Sequence, residues 1–244
     1  MIENLPTYIS LTFGLTTFAT LMLFIWTIRE SSVERTQKTS TPVFFGLAVW
    51  LIIQATLTLK NIYSADTTSF PPKIFPSGIL PTFIIIILLF VTRKGRQFID
   101  SLPLKNLTWV NIVRIPVEIV LLWLFLNKTV PKLMTFEGRN FDILAGITAP
   151  FVAIAFAKQK IGRKGLLVWN VICLGLLINI VVNAFLSVPS PNQKFGLDQP
   201  NIAILYFPFS WLPTFVVPVV LFGHLTSIRQ LIKQKPVSSG KQLQ

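Results

Sequence analysis

Three polar side chains inside one apolar segment carry the clearest chemical signal in this chain. Arg114 and Glu118 lie four residues apart, and Asn111 lies seven residues before Glu118. Because a helix turns by about 100° per residue, all three side chains fall within about 60° of one helix face. An isolated charge in an apolar environment costs several kcal/mol, so this spacing predicts that Arg114 and Glu118 form an ion pair.

The carboxylate of Glu118 is the principal candidate for function. In such a segment it can bind a cation, anchor a polar ligand or carry a proton, with Arg114 as its electrostatic partner. The alternative is structural, because an ion pair can also lock its helix against neighbouring helices. Ionisable residues at bilayer depth are more often functional than structural, and we therefore place Glu118 at the centre of a ligand-binding site.

Seven apolar segments position these side chains. Each has close to the ~17–25 residues that a helix needs to cross a bilayer, and they are residues 6–28, 41–59, 76–92, 107–126, 141–157, 166–187 and 203–222. In the whole chain 52% of residues are hydrophobic and 13% are charged, which argues against a water-soluble fold. The predicted fold class is an all-α integral membrane protein, a bundle of seven transmembrane helices.

The basic residues predict the orientation of this bundle. Most of the 22 lysines and arginines lie on one side, in residues 29–41, 93–106 and 158–165 and after residue 222. Since cytoplasmic connections are enriched in basic residues, we expect the N-terminus outside and the C-terminus in the cytoplasm. Residues 1–223 are predicted to form the seven-span domain. Residues 224–244 are predicted to form a cytoplasmic tail, first a short amphipathic interfacial helix and then a disordered end.

Composition excludes several classes of protein. The net charge of +13 comes from residues that flank the spans, so we expect contact with anionic lipid headgroups at the cytoplasmic face and not with nucleic acid. The single histidine, His224, is expected at the membrane interface, and the single cysteine, Cys173, lies inside a predicted span. We therefore predict no metal site, no cofactor and no catalytic residue.

A second polar stripe runs along the sixth apolar segment. Asn179 and Asn183 are one helical turn apart, with Gly175 before them and Ser187 after them at the same spacing. Small and amide residues in this pattern are typical of packing between membrane helices, and this is the preferred interpretation. The alternative is that both amides contact a ligand.

Polar residues from four segments fall at a similar height in the bilayer. At a rise of about 1.5 Å per residue, the side chains near one level slightly outward of the midplane are Gln54, Glu118, Asn179 and Ser210. Two aromatic residues of the seventh segment, Tyr206 and Trp211, lie at or above this level. These positions predict an outward-opening pocket between the second, fourth, sixth and seventh segments. The alternative is a closed bundle in which the polar groups satisfy one another.

The connection between the fourth and fifth segments carries the densest charge on the predicted outer side. Asn140 suits the cap of the fifth helix, and Asp142 suits its first turn, where a negative charge faces the positive end of the helix dipole. Glu137 and Arg139 are expected to be solvated, with a lid over the pocket as the alternative.

These features predict a non-enzymatic multi-pass protein of a plasma membrane or bacterial inner membrane. It is expected to bind a small solute or lipid-like ligand from the outer side, for transport or sensing. Beyond Glu118 and Arg114, the predicted ligand-binding residues are Asn111, Gln54, Asn179, Asn183, Ser210, Trp211 and Tyr206. One alternative is a structural or assembly subunit whose polar stripes contact a membrane protein partner. Another is a lipid-modifying enzyme with Glu118 as general base.

Overall fold

The computed structural model describes residues 2–233 of the chain. It is 71% helical, and the described residues contain no β-strand. Ten α-helices lie within this part of the chain: α1 (Thr7–Arg29), α2 (Glu34–Lys38), α3 (Ser40–Leu59), α4 (Leu80–Val91), α5 (Arg93–Asp100), α6 (Leu104–Trp109), α7 (Arg114–Leu126), α8 (Ile143–Ala157), α9 (Arg163–Leu186) and α10 (Val217–Lys233).

Turns of other helical types connect or extend several of these helices. A 3₁₀ turn, Val110–Val113, joins α6 to α7. The π-helical turns Phe75–Ile79 and Leu212–Val216 lead into α4 and α10, and each contains a proline near its start. Pro81 and Pro218 follow these turns by two residues. Since proline lacks an N–H and its ring crowds the carbonyl four residues before it, here that of Ser77 or Thr214, a locally wider turn relieves the clash without ending the helix.

The length and apolar composition of several continuous helices confirm a helical membrane bundle. Those long and apolar enough to cross a bilayer are Thr7–Arg29, Glu34–Leu59, Leu104–Leu126, Arg163–Leu186 and Leu212–Lys233. A sixth arises if the bent pair Phe75–Val91 and Arg93–Asp100 is one span. We call Phe75–Val91 the α4 rod, Leu104–Leu126 the α6–α7 rod and Leu212–Lys233 the α10 rod. The remaining apolar helix, α8, has 15 residues. In the part of the chain that the structure describes, five or six helices are long and apolar enough to cross a bilayer. The predicted count of seven is therefore not confirmed.

Thr92 divides α4 from α5. Its backbone is extended, with φ −78° and ψ 149°, and its hydroxyl accepts a hydrogen bond from the backbone N–H of Gly95 at 3.1 Å. This is the geometry of a helix N-cap, so a new helix begins at Arg93. The axes of the two helices meet at 89°, so the basic first turn of α5 runs nearly perpendicular to α4.

The last helix is continuous across the predicted end of the membrane domain. α10 runs from Val217 to Lys233 without a break at Gly223, and His224, Thr226 and Ser227 are buried within it. The prediction of a separate interfacial helix from residue 224 therefore differs from the structure, because the buried face of α10 continues through this point. The predicted disordered end falls in residues 234–244, outside the described residues.

α10 lies at the centre of the bundle, whereas α3 and α4 lie at its edge. In Leu212–Lys233, which ends with α10, 67% of the residues in the most apolar stretch are buried in the protein, compared with 11% in Glu34–Leu59. The core packs side chains of α1 and α7 against α10 and its preceding turn, among them Phe13, Leu121 and Phe215. Within α4 the only buried residue is Ile86, so one side of this helix has little protein against it.

The two π-helical turns pack directly against each other. A Cβ atom added to Gly78 would lie 2.5 Å from the Thr214 side-chain methyl and 3.0 Å from Gln54 Oε1. These distances are shorter than ordinary van der Waals contact, so only glycine allows the approach. Gly78 thereby fixes the position of the α4 rod against α10.

We predict that Gly78→Ala lowers the stability of the protein by about 1–3 kcal/mol, the usual cost of overpacking. Thr214→Ser removes the methyl group that the new Cβ would meet, so the double variant Gly78→Ala/Thr214→Ser should recover most of the loss. Thermal unfolding of the purified proteins in detergent measures the effect. Equal unfolding midpoints for Gly78→Ala and the double variant would show that this methyl contact does not limit the packing.

Candidate functional site

The carboxyl group of Glu118 is held by an asparagine from a distant part of the chain. Asn140 Nδ2 lies 2.6 Å from Glu118 Oε1 and 2.7 Å from Glu118 Oε2, and it also donates to the Met134 carbonyl at 3.0 Å. Asn140 is fully buried and Glu118 is nearly so. The amide hydrogens are thus shared among three acceptors, which fixes the carboxyl plane of Glu118.

The loop before α8 is shaped to deliver Asn140. A 3₁₀ turn, Lys132–Met134, is followed by a reversal in which Gly138 packs against the backbone of Lys132 and Leu133, where a Cβ would overlap. Asn140 Oδ1 then accepts the backbone N–H of Asp142 at 3.0 Å. Asn140 therefore contacts the residue at the start of α8, but its predicted role as the helix cap is wrong, because Asp142 occupies the N-cap position and makes no side-chain cap hydrogen bond.

The guanidinium of Arg114 pairs with Asp142. Arg114 Nε lies 3.1 Å from Asp142 Oδ2, and the two side chains are 3% and 7% exposed. Arg114 Nη2 also donates to the Cys173 carbonyl at 3.4 Å. The predicted ion pair between Arg114 and Glu118 is therefore wrong, because the carboxylate that pairs with Arg114 among the described residues is that of Asp142.

Close packing of α8 on α7 explains the change of partner. A Cβ atom on Gly146 would lie 2.9 Å from Ile115 Cγ1 and 3.2 Å from Arg114 Cβ, so the glycine lets the helices approach. Asp142 precedes Gly146 by one helical turn and shares its face. The same approach thus brings the carboxylate of Asp142 against Arg114, and Asn140 takes the position beside Glu118.

Arg114, Glu118, Asn140 and Asp142 form one buried group, which we call the Glu118 cluster. It contains two carboxyl groups and one guanidinium, so full ionisation would leave one negative charge without a counter-charge. Arg139 does not supply it, because this residue is exposed and its guanidinium lies over the Phe195 ring, 5.9 Å from the centroid. Since an unbalanced charge is costly inside a membrane protein, the cluster needs either a proton or a bound cation.

Glu118 and Asp142 line a cavity of approximately 620 Å³, which we call the Glu118 cavity. Its walls come from Phe75–Val91, α7, α9 and Leu212–Lys233, so the third apolar segment lines it where the second was predicted. Every other lining residue is apolar, and the wall includes Phe83, Ile87, Leu121, Ile180, Phe185 and Val217. The size is within the range of about 300–1,000 Å³ that small-molecule sites occupy. The cavity therefore offers a large apolar surface with carboxyl groups at one place.

Gln54 and Ser210 lie in a separate, closed network. Gln54 Nε2 donates to the Ser77 carbonyl at 3.2 Å, and Tyr63 donates its hydroxyl to Gln54 Oε1 at 2.6 Å. The hydroxyls of Ser210 and Thr58 are 2.8 Å apart. Neither Gln54 nor Ser210 lines the Glu118 cavity. The similar heights estimated for Gln54, Ser210 and Glu118 therefore did not mean that these residues share one site. The contacts of Gln54 and Ser210 instead support the π-helical turns.

Asn179 and Asn183 support the loop that holds Asn140. Asn179 Nδ2 donates to the Arg139 carbonyl at 2.9 Å, and Asn183 Nδ2 donates to Asn179 Oδ1 at 3.2 Å. The two amides connect α9 to the residue just before Asn140. Their stripe thus makes contacts between structural elements, in line with the packing interpretation of the sequence.

The remaining predicted residues also lie outside the cavity wall. Trp211 donates its indole N–H to the Leu51 carbonyl at 3.0 Å, and Tyr206 packs on a small apolar cluster that includes Tyr63 and Val188. Asn111 is buried one turn before Arg114, and its amide donates to the carbonyls of Leu107 and Thr108, each at 3.2 Å. Each of them has a partner in the fold.

One histidine that was expected at the interface is buried in the core. His224 is fully buried, its Nδ1 lies 2.9 Å from Asn170 Oδ1, and its ring lies 5.8 Å from that of Trp169. The expectation of an interfacial position was wrong because α10 continues through this residue. The spacing of His224, Ser227 and Leu231 on one face could have indicated a longer buried helix.

Polar atoms extend from the Glu118 cluster along the α6–α7 rod and α10. Several buried ones have no hydrogen-bond partner within residues 2–233: Asn106 Nδ2, Asn111 Oδ1, Arg114 Nη1, His224 Nε2, Thr226 Oγ1 and Ser227 Oγ. The helices that carry them pack against one another. Because buried polar groups are ordinarily satisfied, this part of the core is expected to hold bound water molecules.

We predict that Arg114→Met destabilises the protein by about 3 kcal/mol or more, because two buried carboxyl groups then lack a counter-charge. Asp142→Asn should cost less, since Arg114 keeps Glu118 as an opposite charge. Adding Asp142→Asn to Arg114→Met should restore part of the stability, measured as the unfolding midpoint in detergent. If the second substitution lowers the midpoint further by its full separate effect, the two residues are not energetically coupled.

Comparison with known proteins identifies the family. Residues 76–232 match the family model described as Domain of unknown function (DUF8737). The matched region is more than half of the chain and contains the whole Glu118 cluster. No curated protein and no solved structure matches the chain. By its match over these residues, the chain belongs to the DUF8737 family.

Proposed function

We propose that this membrane protein binds a small, largely apolar molecule with one cationic group in the Glu118 cavity, for transport or sensing. The observation that carries the proposal is an apolar cavity whose only polar lining residues, among those described, are the two acids Glu118 and Asp142. Such a wall suits a lipid-like or drug-sized solute better than a sugar or an amino acid, which would need many polar contacts.

The charge of the cluster supports a cationic group on the ligand. Arg114 balances Asp142 at 3.1 Å, whereas within residues 2–233 Glu118 receives hydrogen bonds only from the neutral amide of Asn140. A ligand cation next to Glu118 would supply the missing positive charge and replace a proton there. Binding and protonation would then exclude each other, which provides a simple basis for coupling a solute to protons.

The side chains around Glu118 have distinct roles in this proposal. Glu118 is the anchor, Asn140 orients its carboxyl group, and the Arg114–Asp142 pair fixes the start of α8. Asn179 and Asn183 act indirectly, because they hold the loop that delivers Asn140. Gln54 and Ser210 keep the π-helical turns in place on the other side of the α4 rod.

We further propose that all seven apolar segments cross the membrane, with the N-terminus outside. The distribution of basic residues supports this orientation, since it places most of them in cytoplasmic connections. The α4 rod would cross as far as Thr92, and α8 would cross as a short helix. A plasma membrane or bacterial inner membrane is the proposed location, and anionic headgroups are the proposed partners of the cytoplasmic side.

Cysteine labelling tests the orientation. In a background with Cys173→Ala, Thr67→Cys lies in a predicted outer connection and Ser32→Cys in a predicted cytoplasmic one, and both positions are exposed. We expect a membrane-impermeant maleimide to label Thr67→Cys in intact cells and Ser32→Cys only after the membrane is permeabilised. The reverse pattern would show the opposite orientation, and labelling of both in intact cells would contradict a seven-span arrangement.

Glu118→Gln tests the ligand site. With tetraphenylphosphonium as a permanently charged apolar probe, we expect the purified protein to bind it and the variant to bind at least tenfold more weakly, because the charge pair is lost. Titration calorimetry measures both affinities. Glu137→Gln, an exposed acid of the same loop, is the matched control and should leave binding unchanged.

The same measurement predicts a pH dependence. Protons compete with the probe for the Glu118 carboxylate, so affinity should fall as pH is lowered in wild type and in Glu137→Gln. In Glu118→Gln the dependence should largely disappear. Equal affinities and equal pH profiles for wild type and Glu118→Gln would overturn the proposed role of this residue.

A further inference from the structure

A second large cavity lies along the opposite face of α4. Its volume is approximately 730 Å³, and it is bounded by α1, α3, α4, the first turn of α5 and the α10 rod. Successive helical residues turn by about 100°, so Ile85 and Leu89, which line it, face away from Phe83 and Ile87, which line the Glu118 cavity. We call this second cavity the Lys94 groove.

The groove is amphipathic along its length. Its walls are mainly apolar and include Phe24, Val43, Leu47, Ile85, Leu89 and Phe222. Towards the middle of the bundle its polar groups are occupied, because Trp50 donates to the Thr214 carbonyl at 3.0 Å and the Thr214 hydroxyl donates to the Ser210 carbonyl at 2.8 Å. At the other end lie Thr39, Thr92 and Lys94. The one charged lining residue is thus at the predicted cytoplasmic end.

The charges around this end are predominantly positive. Lys94 is exposed and makes no ion pair with any described residue, and the first turn of α5 contains no acid. Two acids on this side of the bundle are paired. Asp100 is bound by Arg229 at 3.0 Å and by Lys233 at 2.7 Å, and Glu34 is bound by Lys38 at 2.7 Å. Glu30, at the end of α1, makes no ion pair with a described residue, but it does not line the groove. A negative ligand group at the mouth of the groove would therefore meet Lys94, which no described carboxylate holds.

We propose that the Lys94 groove binds an anionic phospholipid of the cytoplasmic leaflet. The acyl chain lies between α3 and α4 against Leu47, Ile85 and Leu89, and the phosphate contacts the Lys94 ammonium. Two features of the groove match such a lipid. Its apolar walls suit an acyl chain, and its one charged lining residue among those described, Lys94, suits a phosphate. This site is separate from the ligand site at Glu118, and α4 is the wall between them.

Lys94→Gln tests the headgroup contact. Native mass spectrometry of the purified protein, titrated with phosphatidylglycerol or phosphatidylcholine, measures binding of each lipid. We expect wild type to prefer phosphatidylglycerol and the variant to lose about fivefold of this preference, as expected for one basic residue near a headgroup. Lys160→Gln, an exposed lysine of another cytoplasmic connection, should keep the preference. Equal losses in both variants would mean that only the overall charge matters, which would overturn the site.

Gly46→Leu tests the acyl-chain contact. Gly46 lines the groove, and a Cβ added there meets no atom within 4 Å, so a leucine fills the groove without disturbing the fold. We expect binding of the first phosphatidylglycerol to be lost or weakened at least tenfold. Gly14→Leu is the matched control, because its Cβ also meets nothing within 4 Å and Gly14 does not line the groove.

The outcomes separate clearly. Unchanged lipid binding in Gly46→Leu, or an equal loss in Gly14→Leu, would overturn the proposed position of the acyl chain. Unfolding midpoints close to wild type would confirm that both glycine variants are folded. Glu118→Gln should bind phosphatidylglycerol as wild type does, so failure of the ligand site and failure of the lipid site can be distinguished.

Discussion

Hydrocarbon offers no water to a polar group, so each ionisable side chain in this bundle depends on contacts within the protein. The hydrogen bonds to Glu118 and the ion pair of Arg114 come from one short stretch, Asn140 and Asp142, at the start of α8. The loop before α8, the close approach at Gly146 and the amides of α9 all serve to place this stretch against α7. Loss of that placement would leave Glu118 without a hydrogen-bond donor and Arg114 without its carboxylate partner.

The arrangement of α4 follows from a different constraint. Pro81 and Pro218 prevent regular α-helical hydrogen bonds in the two π-helical turns that precede them, and the turns pack on each other through Gly78. The α4 rod is therefore held firmly at one end, whereas most of its length has little protein around it. The cavities on its two faces are a direct result, and they differ in charge. One has carboxyl groups in its wall, and the other has a lysine at its end.

Periodicity and hydropathy were sufficient to predict a helical membrane bundle and to single out Glu118. They could not give its partners, because the choice between Arg114 and Asn140 depends on how closely α8 packs on α7. Height in the bilayer correctly suggested that Gln54 and Ser210 lie at similar levels, but height contains no information on the side of the helix. His224 was misplaced because the tail is basic, and positive charge after residue 228 concealed the buried face of α10.

The length of α8 has a consequence for the surrounding lipid. Its 15 residues extend about 22 Å, whereas the hydrocarbon core of a bilayer is about 30 Å thick. In the proposed seven-span arrangement, lipid in contact with such a short helix would adapt by local thinning, which lowers the membrane surface on that flank. Asp142 lies at the N-cap of α8, so the depression would bring bulk solvent towards the acidic residues. A charged solute would then cross only a thin layer of hydrocarbon before it reached an opposite charge.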